Sequence, residues 1–145
     1  MKKSNFGKEV TKLLPLISRE FTRRQNSIFI KSSLTVPQMF ILEILAHHEP
    51  VKMSDLAKKL NLTMSAVTAI VDKMIKLKLV ERERPDDDRR VVKVALLNKG
   101  KELNQKITKE KCTFINDLFS CLSEKDKDDY LRILKKLYDN LKKEQ

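Results

Sequence analysis

Glycine is almost missing from this chain: only two occur among 145 residues. A phosphate-cradling loop needs several glycines for its backbone N–H groups to close on an anion, so the nucleotide-loop enzyme classes are excluded. Cysteine is as scarce, again two, which rules out a disulfide framework. Cys112 and Cys121 fall in a helical pattern without metal-ligand spacing and read as buried or half-buried thiols in a reducing compartment. The two histidines, His47 and His48, are neighbours that point apart on a helix, so no zinc site is expected. No apolar run approaches the ~18 residues of a spanning helix. Met1 to Phe6 leads into Gly7, Lys8 and Glu9 instead of the apolar stretch of a signal peptide. No nucleophile–base pairing stands in a recognisable context. The expectation is a cytoplasmic protein that is not an enzyme, with no cofactor, no metal and no membrane partner.

What the chain has is positive charge, +11 net, and unevenly spread. Residues 1–34 carry eight Lys or Arg against two acids, and residues 50–100 carry twelve against seven. Residues 101–145 are near balance, at eleven against nine. An excess of this kind attracts polyanions such as nucleic acid, although it equally suits a membrane surface or plain solubility.

Helical periodicity dominates. Val10, Leu13, Leu14, Ile17 and Phe21 recur at steps of three and four, which marks one apolar helix face. Pro15 falls inside it, as a kink or as the start of the regular part. Thr35 and Gln38 have capping-box spacing around Pro37, opening a helix through Phe40, Ile41, Ile44 and Leu45 that ends near His48. Ser54 and Thr63 are further N-cap candidates, for helices over 55–60 and 64–76. The period then changes. Residues 80–84 and 92–96 read as strands joined by the polar turn at 85–90, a β-hairpin. Helical spacing resumes at Asn98, and Ser123 with Asp126 caps a last helix carrying Leu131, Leu134, Leu137, Tyr138 and Leu141.

Within this order, Leu56, Ala57, Leu60 and Leu62 followed by Val67 and Ile70 form a helix-turn-helix pattern. Ala57 is small where the second helix crosses the first, and Asn61 sits where the turn needs a left-handed residue. The outer face of the second helix carries Met64, Ser65, Ala66, Thr68, Ala69, Asp72, Lys73 and Lys76. Small hydroxyl residues early in a helix suit close approach to the major groove, and lysines further along suit phosphates. The hairpin that follows carries Arg82, Arg84 and Lys93 on its strands and Asp88, Arg89 and Arg90 at its tip. An arginine on a projecting tip can enter the minor groove, where negative potential is enhanced. Asp88 either orients Arg90 or shapes the turn. The DNA-binding residues read from this pattern are Ser54, Thr63, Ser65, Ala66, Thr68, Lys73, Lys76, Arg84, Asp88, Arg89 and Arg90.

Asp88-Arg89-Arg90, with Leu96 and Gly100 at the right spacing, is similar to the MarR family's D-x-R-x5-L-T-x-x-G wing signature. Leu34-Thr35-Val36-Pro37-Gln38 resembles that family's L-T-x-x-Q opening of its second helix, and the element order matches over essentially the whole chain. Leu97 departs from the pattern where the family has Thr; Asn98 is expected to take over that helix cap. The resemblance implies a mainly α fold with a small β-hairpin wing, that is, a winged helix-turn-helix flanked by N- and C-terminal dimerisation helices. Its expected parts are residues 1–34 (dimerisation), 35–100 (DNA binding) and 101–145 (dimerisation). It further implies a homodimeric transcriptional regulator, commonly a repressor, on double-stranded DNA. Ile28, Phe29, Phe114, Phe119, Leu137 and Leu141 supply more apolar surface than one small winged helix needs, which agrees with a dimer, although the subunit's own core equally explains a share of them.

The resemblance also implies a small-molecule effector, an aromatic acid or phenol, with Arg19, Phe40 and His47 as candidate pocket residues. Relatives that sense peroxide use a cysteine in the first helix; Ser18 occupies that region here. The competing reading is a winged helix used as a protein-interaction module without DNA binding. It predicts a less basic wing and an apolar second-helix face. Arg84, Arg89, Arg90, Lys73 and Lys76 argue against it, while Met64 leaves it some room.

Overall fold

The computed structural model describes residues 3–48 and 50–143, and their side chains except at 3, 4 and 28–30. In chain order the elements are α1 (Lys3–Ser32), α2 (Val36–His47), β1 (Val51–Lys52), α3 (Met53–Leu60), α4 (Met64–Lys76), β2 (Val80–Glu83), β3 (Lys93–Leu96), α5 (Asn98–Leu118), a 3-10 turn (Phe119–Cys121) and α6 (Glu124–Lys143). The chain divides into two compact units, Met1–Glu110 and Lys111–Gln145, with the boundary inside α5. This is the expected mainly helical winged-helix fold. No helix among the described residues is long and apolar enough to cross a membrane.

The core of the first unit is built by α2, α3, α4 and the sheet. Ile41, Leu42 and Leu45 of α2, Leu56 of α3, Val67, Val71 and Met74 of α4, and Val80 and Val94 of the sheet are all fully buried. Full burial of such side chains contributes about 1.5–3 kcal/mol each, so this cluster fixes how the helix-turn-helix sits on the sheet. Thr35 caps α2 as expected: its Oγ1 accepts from the Gln38 amide at 3.4 Å while Gln38 Oε1 accepts from the Thr35 amide at 2.9 Å. Phe40, read as part of the apolar face, is instead half exposed, because the buried face turns through Ile41 and Leu45.

Two junctions differ from the sequence expectation. α3 begins at Met53, one residue ahead of Ser54, so Ser54 lies in the first turn and caps nothing; Lys52 holds the cap position. The shift comes from β1, a two-residue strand whose pairing with β3 (Val51 opposite Val94, Lys52 opposite Lys93) delivers the chain into the helix. Two residues are too short to show a period. At the start of α5, the Leu97 carbonyl accepts from the Lys101 amide at 3.0 Å, so Leu97 is the cap residue and Asn98 is already helical.

Both turns flanking α4 use left-handed residues. Asn61 has φ 52° and ψ 46° as expected, and Leu62 N–H donates back to the Ala57 carbonyl at 3.0 Å. After α4, Lys78 takes φ 58°, with Leu79 N–H on the Met74 carbonyl and Lys78 N–H on the Ile75 carbonyl. That pair of bonds is the Schellman closure, which normally has glycine at the left-handed position.

α1 is one continuous helix through Pro15. Phe6, Val10, Leu13, Leu14, Leu16 and Ile17 stand exposed along it, and Glu20 pairs with Arg23 and Arg24. Hydrogen bonds from Arg23 and then Arg24 hold the Glu20 carboxyl down at about 2, well below the usual carboxylate range. The second unit holds α6, capped by Ser123 and Asp126 as expected. Its Leu131, Leu134, Leu137, Tyr138 and Leu141 are also exposed. Cys112 and Cys121 are both exposed, not buried or half-buried: Cys112 lies off the buried side of α5, and Cys121 lies in the 3-10 turn, none of whose residues is buried. Ile28 and Phe29 lie outside the described side chains.

Candidate nucleic-acid interface

The wing is a three-stranded antiparallel sheet in the order β1-β3-β2, with Val80 opposite Leu96 and Arg82 opposite Val94. Because side chains alternate along a strand, buried Val80 sets the face toward α4, and Arg82 follows it on that face. Glu81 and Glu83 turn the other way. Arg82 Nη2 meets Asp72 Oδ1 on α4 at 2.6 Å, tying the wing to the helix. Arg84 lies just past β2, and its Nη1 donates to the Arg89 carbonyl at 3.0 Å, bracing the tip. Asp88 Oδ1 accepts from the Arg90 backbone N–H at 3.0 Å, so Asp88 shapes the turn through the amide of Arg90.

On α4, Thr63 is the cap: its Oγ1 accepts from the Ala66 amide at 3.2 Å and lies 3.1 Å from Ser65 Oγ. Val67, Val71 and Met74 are buried, which leaves Met64, Ser65, Thr68, Ala69, Lys73 and Lys76 exposed. Met64, Thr68 and Asp72 are spaced by four and form one row facing the wing. Between that row and the wing lies an open cleft of about 550 Å³. Ser54, Thr68, Arg84 and Arg90, all expected from the sequence, line it together. So do Lys52, Met64, Asp72 and Arg82, which the sequence reading had not joined to the site. The spacing of four signals Met64 and Asp72, and alternation from Val80 signals Arg82; nothing in the sequence signals Lys52.

The other expected residues surround this cleft without lining it. Ser65, Lys73 and Lys76 lie on the outer row of α4, Ala66 is half-buried, and Asp88 and Arg89 form the exposed wing tip. Arg19, Phe40 and His47 are exposed on α1 and α2 and line neither this cleft nor the small cavity of about 40 Å³ beside Ser32 and Ile107. Among the described residues no group of His, Cys, Asp or Glu side chains could hold a metal ion. The assembled surface is cationic, open and braced.

Residues 34–92 match the model of the MarR family. The regulator YfiV of Bacillus subtilis, an uncharacterised helix-turn-helix transcriptional regulator, is 30% identical over 121 residues, covering 81% of this chain and 76% of that protein. This chain belongs to the MarR family. It is therefore a winged helix-turn-helix transcriptional regulator, a DNA-binding protein and not an enzyme. A MarR family protein from Bacillus stearothermophilus superposes with a TM-score of 0.88 at 25% identity, covering 98% of this chain and 99% of that one. A mutant of MepR from S. aureus, bound to an oligodeoxyribonucleotide, superposes with a TM-score of 0.68 at 25% identity, over 90% and 96% of the two chains.

Proposed function

We propose that this regulator reads a specific double-stranded operator as a homodimer, in the cytoplasm, and represses transcription from it. The carrying observation is the cleft that brings Ser54 and Thr68 together with Arg84 and Arg90. In this reading α4 enters the major groove with Ser65, Thr68 and Ala66 nearest the bases, while Thr63 fixes its first turn. Lys73 and Lys76 take flanking phosphates. Arg89 and Arg90, held by Asp88, reach the adjacent minor groove. A MepR mutant of this fold bound to an oligodeoxyribonucleotide supports DNA as the ligand. Residues 35–100 form the reading head, and residues 1–34 and 101–145 form the dimer. α1 and α6 each leave an apolar face open, the surface a second copy would cover. A two-fold pair would place its half-sites about one helical turn, ~34 Å, apart. The same reading includes release by a small aromatic or phenolic effector. Phe40 and His47, seven apart and exposed on one face of α2, and Arg19 on α1 are its proposed contacts.

The test is fluorescence anisotropy on duplexes selected from a random pool, across a salt series. Binding should fall with a log–log slope of about −0.9 per neutralised phosphate. Arg90→Ala should weaken the selected duplex by on the order of 1–3 kcal/mol, the range of one good base contact. No binding to any duplex at low salt would return the wing to the protein-interaction reading that exposed Met64 allows.

A further inference from the structure

Four cations, Lys52, Arg82, Arg84 and Arg90, line the cleft, and one acid stands among them, Asp72. The acid lies on the third turn of α4, in the row of Met64 and Thr68, on the surface that the reading above gives to DNA. A carboxylate there repels every phosphate backbone, whatever its sequence. Its partner is Arg82, ten residues away and on another element, at 2.6 Å. Both side chains are partly exposed, and an ion pair so placed contributes little to stability. Core burial of Val80, Val67 and Val71 already holds the wing against α4. A stability role therefore leaves the acid unexplained.

We propose that Asp72 is a specificity-determining residue that acts through Arg82, withholding that guanidinium from phosphates and so weakening sequence-independent DNA binding. The inference rests on the DNA-reading mode above. Counter-ion release grows with each cation that neutralises a phosphate, and this term is common to all sequences. A guanidinium whose charge is already offset by a paired carboxylate adds less to it. Specificity is a difference between two affinities, so a device that penalises the wrong duplex raises it as surely as a contact to the right one. Arg84 and Arg90, by contrast, meet backbone groups and keep their full charge for DNA: Arg84 on the Arg89 carbonyl, Arg90 through its amide.

The experiment compares the full chain with Asp72→Asn on two duplexes, the selected operator and a mixed-sequence duplex of equal length, over a salt series. Asn keeps the shape and loses the charge. The expected result is a mixed-sequence slope steeper by about 0.9, one more phosphate. Affinity for that duplex should rise several-fold, and the operator-to-mixed ratio should fall. Asp72→Glu, which keeps a carboxylate within reach of Arg82, should restore the shallower slope. In an Arg82→Ala background the Asn substitution should leave the slope unchanged. The inference is overturned if Asp72→Asn leaves the slope unchanged or weakens both duplexes equally, as a purely structural clamp would. It is also overturned if the slope steepens equally without Arg82. Failure of the unaltered protein to bind either duplex would instead remove the DNA-reading mode itself.

Discussion

Replacing Gly100 with alanine sets two physical effects against each other, and the structure decides the sign. Gly100 is the third residue of α5, where alanine normally favours the helix by up to about 1 kcal/mol. No positive φ protects the position. Propensity alone therefore predicts a more stable protein. The packing says otherwise. A β-carbon at Gly100 would overlap the Leu79 carbonyl oxygen, with the Leu79 carbonyl carbon 3.1 Å away and Leu96 Cδ2 at 3.2 Å. The obstacle is backbone, which cannot swing aside as a side chain does. The same carbonyl accepts from the Leu97 N–H at 2.9 Å, and moving it weakens that bond at a net cost of about 0.5–1.5 kcal/mol. Overpacking adds about 1–3 kcal/mol. Against a gain of at most about 1 kcal/mol, the net is a loss of about 2 kcal/mol, or roughly 4–8 °C in Tm for a chain of this size. Thermal unfolding by circular dichroism at fixed chain concentration measures it. Leu79 leads directly into β2, so the displacement also reaches the wing, and DNA affinity should fall with stability. Gly100→Ser, which adds the same β-carbon, should behave alike. An unchanged or raised Tm for Gly100→Ala would refute the reasoning.

Lys78→Gly should do the opposite. A left-handed backbone costs a side-chain-bearing residue about 1–2 kcal/mol, and glycine's greater freedom in the unfolded chain takes back part of that. A gain of about 0.5–1 kcal/mol in urea denaturation is expected, and a loss would mean that Lys78 makes a compensating contact. For the proposed dimer, sedimentation at micromolar concentration should show a two-chain species. Leu137→Glu on the open face of α6 removes about 1.5–3 kcal/mol of apolar burial per subunit, and two-fold symmetry counts it twice. Dissociation should strengthen at least a hundredfold, and a single-chain species before mutation would contradict the dimer.

Much of the fold is legible because it is written in periods and caps. The Thr35–Gln38 and Ser123–Asp126 boxes and the left-handed Asn61 are local chemistry between residues a few positions apart, and each forms as the spacing implies. β1 escapes, since a two-residue strand is stabilised wholly by its distant partner β3. Ser54 shows the consequence: its type is right for a cap, but the strand before it moves the helix start to Met53. The thiols of Cys112 and Cys121 escape for a related reason. Cysteine's general preference for burial is a statistical tendency, and whether Cys112 on α5 and Cys121 in the turn after it face solvent is decided by tertiary packing.

The interface is less legible than the fold because its residues are those that packing does not select. Periodicity identifies Val67, Val71 and Met74 by what they bury, and so identifies the outer face of α4 only as the remainder. That remainder holds two rows, and sequence reasoning could not choose between them. The sheet chooses. Once β2 pairs with β3 in the register that puts Arg82 opposite Val94, the row of Met64, Thr68 and Asp72 faces the wing and the row of Ser65, Lys73 and Lys76 faces outward. A one-residue slip of that ladder would turn Arg82 to the face of Glu81 and Glu83. It would also break the Asp72 pair and leave the cleft with a different charge. Burial of Val80 and Val94 forbids the slip, so the core of this small sheet fixes which charges line the cleft.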